Sequence, residues 1–219
     1  MRTDVQAVLL DLDGTLLDTA GDLVGTVNRL LLNHQRSPAP LQNLRPYVSQ
    51  GAICLISRAF EIDEESDFAL SLKQEFLTLY RDNLSIHSKL FSGMEEFLNY
   101  LDQQSIPWGI VTNKPEWLTI PLLVETGLSQ RTSCIVGGDT LEESKPSPAP
   151  VIHACSLLNV SPSFALMVGD DKRDIDSGNA AGSLTAAAGW GYVQPGDSMS
   201  SWQADHTFDS VKQLHDWFN

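Results

Sequence analysis

The sequence predicts an α/β protein: a parallel sheet covered by helices on both faces, with a block of helices inserted after the first strand. Three observations carry this. Residues 5–10 form a short apolar run with the length and branching of a buried strand. From about residue 18 to residue 85 apolar side chains recur at helical spacing, and no convincing strand interrupts them. From residue 94 onward, strand-length and helix-length segments alternate, which is the rhythm of a parallel sheet.

Taken in order, residues 19–34 place Leu23, Val24, Val27, Leu30 and Leu31 on one helix face, and Ser37-Pro38-Ala39-Pro40 ends it. Residues 47–51 read as a loop and 52–60 as a short helix. Residues 64–82 carry Phe68, Leu72, Phe76, Leu79 and Tyr80 on one side, a third amphipathic helix. The alternating part follows: helix 94–103, strand 108–112, and helix 116–126 with Pro115 near its first turn and Gly127 as its stop. Strand 134–136, helix 149–158, strand 164–168, helix 171–181 and strand 184–188 come next. A last strand at 206–208 precedes helix 211–217.

A chain of 219 residues has room for one α/β domain and a modest insertion. The net charge of −14 repels nucleic acid phosphates and anionic membranes, so neither is an expected partner. Cys54, Cys134 and Cys155 are scattered without metal-ligand spacing and read as buried small hydrophobes in a reducing compartment. No apolar run reaches membrane-spanning length, and residues 5–10 are too short for a signal-peptide core, so a cytoplasmic location is expected. His34, His87, His153, His206 and His215 show no metal-ligand spacing, Gly189-x-Gly191 is too weak for a nucleotide site, and Trp190, Trp202 and Trp217 read as packing residues.

Ligands of open parallel sheets sit beyond the carboxyl ends of the strands. The first strand is followed by Asp11 and Asp13, with Gly14 permitting a sharp turn. If the chain stays extended to Asp13, both carboxylates project the same way and repel unless a cation or proton lies between them. Hard oxygen ligands of this kind suit Mg²⁺. A bare D-x-D-G reads equally well as a turn. Residues 108–111 are followed by Thr112, Asn113 and Lys114, the next strand by Gly137-Gly138-Asp139 and then Ser144-Lys145-Pro146, and strand 164–168 by Gly169, Asp170 and Asp171, with Asp174 beyond. Singly these are ordinary: Asp170-Asp171 can cap a helix, Lys145 can be a solvated loop lysine, and Thr112 and Asn113 can be turn residues. Hydroxyl, lysine and carboxylates arriving in turn at successive strand ends argue for one site.

Asp11-Leu12-Asp13-Gly14-Thr15, Val111-Thr112-Asn113, Lys145-Pro146 and Gly169-Asp170-Asp171-Lys172-Arg173-Asp174 resemble the four motifs of the haloacid dehalogenase-like hydrolase superfamily, and the resemblance spans the chain. It implies a Rossmann-like core formed by residues 1–17 and 87–219, a helical cap formed by 18–86, and Mg²⁺-dependent phosphoryl transfer. Phosphomonoester hydrolysis requires a barrier lowering of roughly 20 kcal/mol or more. The resemblance implies that Asp11 is the nucleophile and forms an aspartyl-phosphate, and that Asp13 protonates the leaving alkoxide and then deprotonates water. It also implies Mg²⁺ held by the Asp11 side chain, the Asp13 carbonyl and Asp170. On the same resemblance Thr112 and the backbone amides after Asp11 would hold the phosphoryl oxygens, and Lys145 would neutralise the site. Asp174 would orient Lys145 or a metal-bound water, and Asp171 would join the outer shell of the metal, with no ranking between the two.

Leaving-group choice falls to the cap, which also excludes water and opens for product. Candidate contacts are Ser49, Gln50 and Gly51, with Thr112, Asn113 and Lys114 from the core; Lys114 is placed to reach a substrate carboxylate. Arg58 reads as a solvated helix face. His87 and Lys89, at the second crossing between cap and core, read equally as linker surface or substrate contacts. Val111-Thr112-Asn113-Lys114-Pro115 is similar to the phosphoglycolate phosphatase group. Val48-Ser49-Gln50-Gly51-Ala52, His87-Ser88-Lys89-Leu90-Phe91-Ser92-Gly93 and the string from Gly169 to Ile175 more closely resemble the bacterial N-acetylmuramic acid 6-phosphate phosphatases of cell-wall sugar recycling. Either substrate pairs a phosphate with a carboxylate. A phosphomutase and a catalytically dead phosphate-binding regulator are the other readings. The chain's oligomeric state leaves no mark on these motifs.

Overall fold

The computed structural model describes residues 4–219; residues 1–3 of the expected core lie outside it. Six strands form one parallel sheet in the order β5-β4-β1-β6-β7-β8: β1 (Ala7–Leu10), β4 (Trp108–Val111), β5 (Cys134–Val136), β6 (Ala165–Gly169), β7 (Leu184–Ala188) and β8 (His206–Phe208). β1 is central, with Val8 beside Trp108 on one side and Leu166 on the other. Its residues alternate between two cores. Val8 and Leu10 pack under α5 (Met94–Gln103), α6 (Glu116–Glu125) and α9 (Val211–Phe218), through Phe97, Leu101, Leu122 and Phe218. Ala7 and Leu9 pack on the opposite face with Val151, Ala154 and Cys155 of α7 (Ala149–Leu158). Every β1 side chain is buried, which is why this strand reads as a continuous apolar run rather than an alternating one.

α1 (Ala20–Asn33), α2 (Leu41–Leu44), α3 (Ala52–Phe60) and α4 (Asp67–Arg81) form a separate cluster with its own core, in which Leu30, Leu55, Ile56, Phe60, Leu72 and Phe76 are buried together. The chain enters and leaves this cluster along a two-stranded antiparallel ribbon, β2 (Leu17–Asp18) against β3 (Lys89–Leu90), with Asp18 opposite Lys89. The buried carboxylate of Asp22 accepts hydrogen bonds from the backbone N–H groups of His87 (2.9 Å) and Ser88 (2.8 Å) and from the Ser88 hydroxyl (2.6 Å), binding the return crossing to the first turn of α1.

Three sequence expectations are corrected here. The ribbon was not foreseen, and Asp18 belongs to a strand; two paired residues are too short to establish a period. The stretch 47–51 is not a loop but mostly part of a 3-10 helix, Arg45–Gln50, preceded by α2. Pro46 stands in its first turn and Gly51, at φ +89°, ends it. The chain does not stay extended to Asp13. It turns directly after Asp11, with the Leu16 N–H donating to the Asp11 carbonyl and Gly14 at φ +92°. Among the described residues no helix is long and apolar enough to cross a membrane.

Candidate active site

The carboxyl ends of β1, β4 and β6 meet at the floor of a cavity of about 420 Å³, roofed by the 3-10 segment and α4. Asp11, leaving β1, is buried, and its Oδ1 lies 2.8 Å from Lys145 Nζ. Lys145 also reaches Asp174 Oδ1 at 2.6 Å and the Val111 carbonyl at 2.6 Å. Burial works against the Lys145 ammonium, but Asp11 and Asp174 outweigh it and hold its pKa above the usual lysine range. Asn113 fixes the loop that carries this lysine: its amide donates to the Lys145 carbonyl at 2.9 Å and accepts from the Lys145 N–H at 3.0 Å. Asn113 lines the cavity, yet both ends of its amide are spent on that loop.

Asp170 follows β6 directly and is buried. Its carboxylate accepts from Thr15 Oγ1 (3.0 Å), Ser49 Oγ (2.7 Å) and the Tyr192 N–H (2.8 Å). Burial raises its pKa well above the ordinary carboxylate range; Asp11 and Asp174 add to this, and the hydrogen bonds from Tyr192 and Ser49 oppose it. The backbone crowds it: a Cβ on Gly14 would stand 2.1 Å from Asp170 Oδ2, and one on Gly191 2.3 Å from Asp170 Cβ. Asp171 caps α8 (Lys172–Ala181) in a reciprocal capping box with Asp174. Asp174 thus serves the helix end with Oδ2 and Lys145 with Oδ1. Burial raises the Asp174 pKa against the pull of Lys145.

Asp13 faces the cavity from the turn. Its carboxylate lies 3.0 and 3.1 Å from Lys114 Nζ and accepts from Thr19 Oγ1 at 2.6 Å. Lys114 is buried and also donates to the Tyr80 hydroxyl of α4 at 2.9 Å. Burial disfavours its ammonium, but Asp13 and Tyr80 hold its pKa above the usual range; burial likewise pushes the Tyr80 phenol up to about 12, opposed by Lys114. Lys114 was expected to reach for a substrate carboxylate; here its ammonium is engaged by a carboxylate of the chain. Thr112 is buried at the cavity wall and accepts from the Lys114 N–H at 3.2 Å.

From the helical side, Ser49 also reaches the Asp13 carbonyl at 3.3 Å, and Gln50 donates to Asp171 Oδ2 at 2.5 Å. Arg173 holds Asp171 Oδ1 at 2.8 Å and the Ser49 carbonyl at 2.5 Å. Gly51 lines the cavity, with open space where a Cβ would be. The remaining candidates lie elsewhere. Arg58 is exposed and stacks on Tyr47, 3.8 Å from the ring centroid. His87 and Lys89 are exposed and do not line this cavity.

Thr15, Tyr80, Arg173 and Tyr192 are site neighbours that sequence reasoning assigned no role. Thr15 and Arg173 stood inside the quoted motifs. Tyr80 continues the Leu72-Phe76 face and reads as core, and the Gly189-x-Gly191 pattern before Tyr192 hints at a close backbone approach without identifying its partner.

Residues 8–188 match the haloacid dehalogenase-like hydrolase family. An N-acetylmuramic acid 6-phosphate phosphatase of Pseudomonas putida is 42% identical over 211 residues, covering 96% of this chain and 94% of that protein. A phosphoglycolate phosphatase of Xanthomonas campestris is 43% identical over 210 residues, covering 95% of this chain and 94% of its own. The crystal structure of a predicted phosphoglycolate phosphatase from Haemophilus somnus superposes with a TM-score of 0.86 at 27% identity, over the whole of both chains. With the four motifs gathered at the strand ends, and with relatives of this identity over nearly the full length, the chain belongs to the haloacid dehalogenase-like hydrolase family.

Proposed function

We propose that this chain is a Mg²⁺-dependent phosphatase that hydrolyses N-acetylmuramic acid 6-phosphate through an aspartyl-phosphate on Asp11. The observation that carries the reading is the Asp11 carboxylate, buried at the end of β1, braced by Lys145 at 2.8 Å and opening on a cavity of about 420 Å³. That volume lies in the range of pockets that enclose ligands of sugar size, about 300–1,000 Å³, and exceeds what a two-carbon phosphoester fills.

The residues present fit a hard divalent cation. Carboxylate oxygens of Asp11, Asp170 and Asp174 lie within 4.8 Å of one another, all buried, while the single ammonium of Lys145 is shared between Asp11 and Asp174. Asp11, Asp170 and the Asp13 carbonyl would hold Mg²⁺; Ser49, which bridges that carbonyl and Asp170, supports their lying on one side. Bound there, Mg²⁺ supplies charge neutralisation between the nucleophile and the phosphate.

Asp11 attacks phosphorus in line, and the bond to the ester oxygen breaks. Asp13, held by Lys114 and Thr19 and entering the cycle as the protonated acid, passes its proton to the leaving oxygen, then as the carboxylate takes one back from the water that attacks the aspartyl-phosphate and frees phosphate. Thr112 lies at the wall to meet a phosphoryl oxygen, and Lys145 keeps Asp11 oriented. Residues 18–86 act as the cap. Val48, Leu55, Phe76 and Leu77 give it an apolar inner wall that sheds water during transfer.

The phosphoglycolate phosphatase of Xanthomonas campestris, 43% identical against 42% for the Pseudomonas putida relative, supports a second reading with the same chemistry and a smaller substrate. Phosphate release from N-acetylmuramic acid 6-phosphate, 2-phosphoglycolate and glucose 6-phosphate, with Mg²⁺ and with EDTA, separates the two. The expected result is release that EDTA abolishes and a kcat/KM at least tenfold higher for the muramic sugar. Preference for phosphoglycolate favours the second reading, and no release from any ester rejects both.

A further inference from the structure

Four cations line the cavity: Lys73, Lys114, Lys145 and Arg173. Three are spoken for. Lys114 pairs with Asp13, Lys145 with Asp11 and Asp174, and Arg173 with Asp171. Lys73, half-buried on α4, makes no ion pair or hydrogen bond with any described residue. A lysine held partly out of water beside an enclosed cavity, with no carboxylate of its own, is placed to take an anion from a ligand.

Its position along α4 selects which anion. Lys73 and Tyr80 are seven residues apart, and both line the cavity. At 1.5 Å per residue this sets them about 10 Å apart along the helix axis. Tyr80 marks the reacting end, since its hydroxyl touches Lys114 and Lys114 touches Asp13. Lys73 marks the far end, with Gln74 beside it and Leu77 one turn on. A two-carbon acid, with one methylene between ester oxygen and carboxylate, keeps its second anion near Asp13. A phosphorylated sugar whose acid branches from the opposite side of the ring carries it across the cavity.

We propose that Lys73 is the specificity-determining cation that receives a substrate carboxylate remote from the phosphate, so that the cavity selects phosphorylated sugar acids over both neutral sugar phosphates and small phosphorylated acids. This rests on the phosphatase reading above and adds to it the residue that discriminates.

The test compares wild type, Lys73→Ala and Lys73→Arg on N-acetylmuramic acid 6-phosphate, N-acetylglucosamine 6-phosphate and 2-phosphoglycolate. The two sugars differ in the lactyl acid alone. The expected result is a 10- to 100-fold fall in the ratio of kcat/KM for the muramic sugar over the glucosamine sugar in Lys73→Ala, the size of one lost charge-assisted contact, with the loss in KM. Lys73→Arg should recover most of it. A ratio unchanged within about twofold, while wild type still prefers the acid, overturns the role of Lys73 and leaves the phosphatase reading intact. A loss confined to 2-phosphoglycolate also overturns it. Wild type that releases phosphate from none of the three rejects the phosphatase reading, and this inference with it.

Discussion

Lys114 Nζ stands 3.0 Å from Asp13 Oδ2, and the lysine side chain is almost wholly enclosed. An enclosed ion pair is weak evidence for stability, because desolvation offsets much of its attraction, but losing one partner leaves the other charge stranded. The consequence falls on chemistry: whatever proton Asp13 moves, it moves from a position that Lys114 fixes.

Lys114→Met is therefore expected to lower kcat by about 10²-fold or more on carboxylated and neutral phosphoesters alike, the range for a misplaced acid–base group. Steady-state kinetics on one ester of each kind decides the matter. A rise in KM restricted to the carboxylated ester, with kcat intact, would instead return Lys114 to substrate recognition.

Asp11→Asn should bring turnover to background while preserving the fold by circular dichroism. Mass spectrometry of acid-quenched reactions should find phosphate on wild-type Asp11 and none on the variant. A phosphorylated Asp11→Asn chain would assign the nucleophile to another residue.

Gly14→Ala places a methyl group 2.1 Å from Asp170 Oδ2 on a backbone at φ +92°. The strain costs about 1–3 kcal/mol and displaces Asp170 or the turn. Urea unfolding should show a lower midpoint, and Mg²⁺ titration of activity should show a weakened requirement site. A variant with wild-type stability and wild-type Mg²⁺ dependence would contradict the crowding described here.

Asp18 ties the helical insertion to the core. Arg45 pairs with it through two bonds, 2.8 and 3.1 Å, and Tyr192 donates to it at 2.8 Å. Burial favours the protonated acid, but the hydrogen bonds from Arg45 and Tyr192 outweigh it and hold the Asp18 pKa below the usual value. A carboxyl lowered in the folded state gives stability that is complete above its unfolded pKa and is lost as pH falls through the folded one. The stability gap between wild type and Asp18→Asn should thus be constant near neutrality and close below about pH 4. Urea midpoints across pH measure it; a gap that widens in acid would reverse the sign.

Much of this was legible in the sequence because the chemistry sits where the periodicity changes. Asp11, Thr112 and Asp170 each follow an apolar strand directly, so finding the strands located the candidate floor; Lys145 lies nine residues beyond β5, on a loop that Asn113 holds in place. What escaped was set by docking rather than by local pattern. Tyr80 belongs to a helical apolar stripe whatever its hydroxyl touches, and only the seating of α4 above the loop after β4 brings it to Lys114. Asn113 follows a strand as a ligand residue would, yet its amide is consumed by the Lys145 backbone more than 30 residues later. Tyr192 lies beyond β7, where the Gly191 backbone passes against Asp170; the Gly189-x-Gly191 pattern carried the clue to a close approach but not what was approached.

The β2–β3 ribbon, with Asp22 stitching its return strand to α1, has a consequence for motion. Both chain crossings leave the core side by side, joined by ladder hydrogen bonds that resist sliding along the strands but tolerate bending across them. The helical insertion is hung like a door on one jamb. A swing about that single line is the motion such a ribbon would resist least, and the Ser49–Asp170 and Arg173–Ser49 hydrogen bonds are contacts it would have to break. Inner-face residues that touch nothing on the floor, such as Lys73 and Leu77, can then vary, and substrates with them, while Ser49, Gln50 and Tyr80 stay bound to the chemistry beneath.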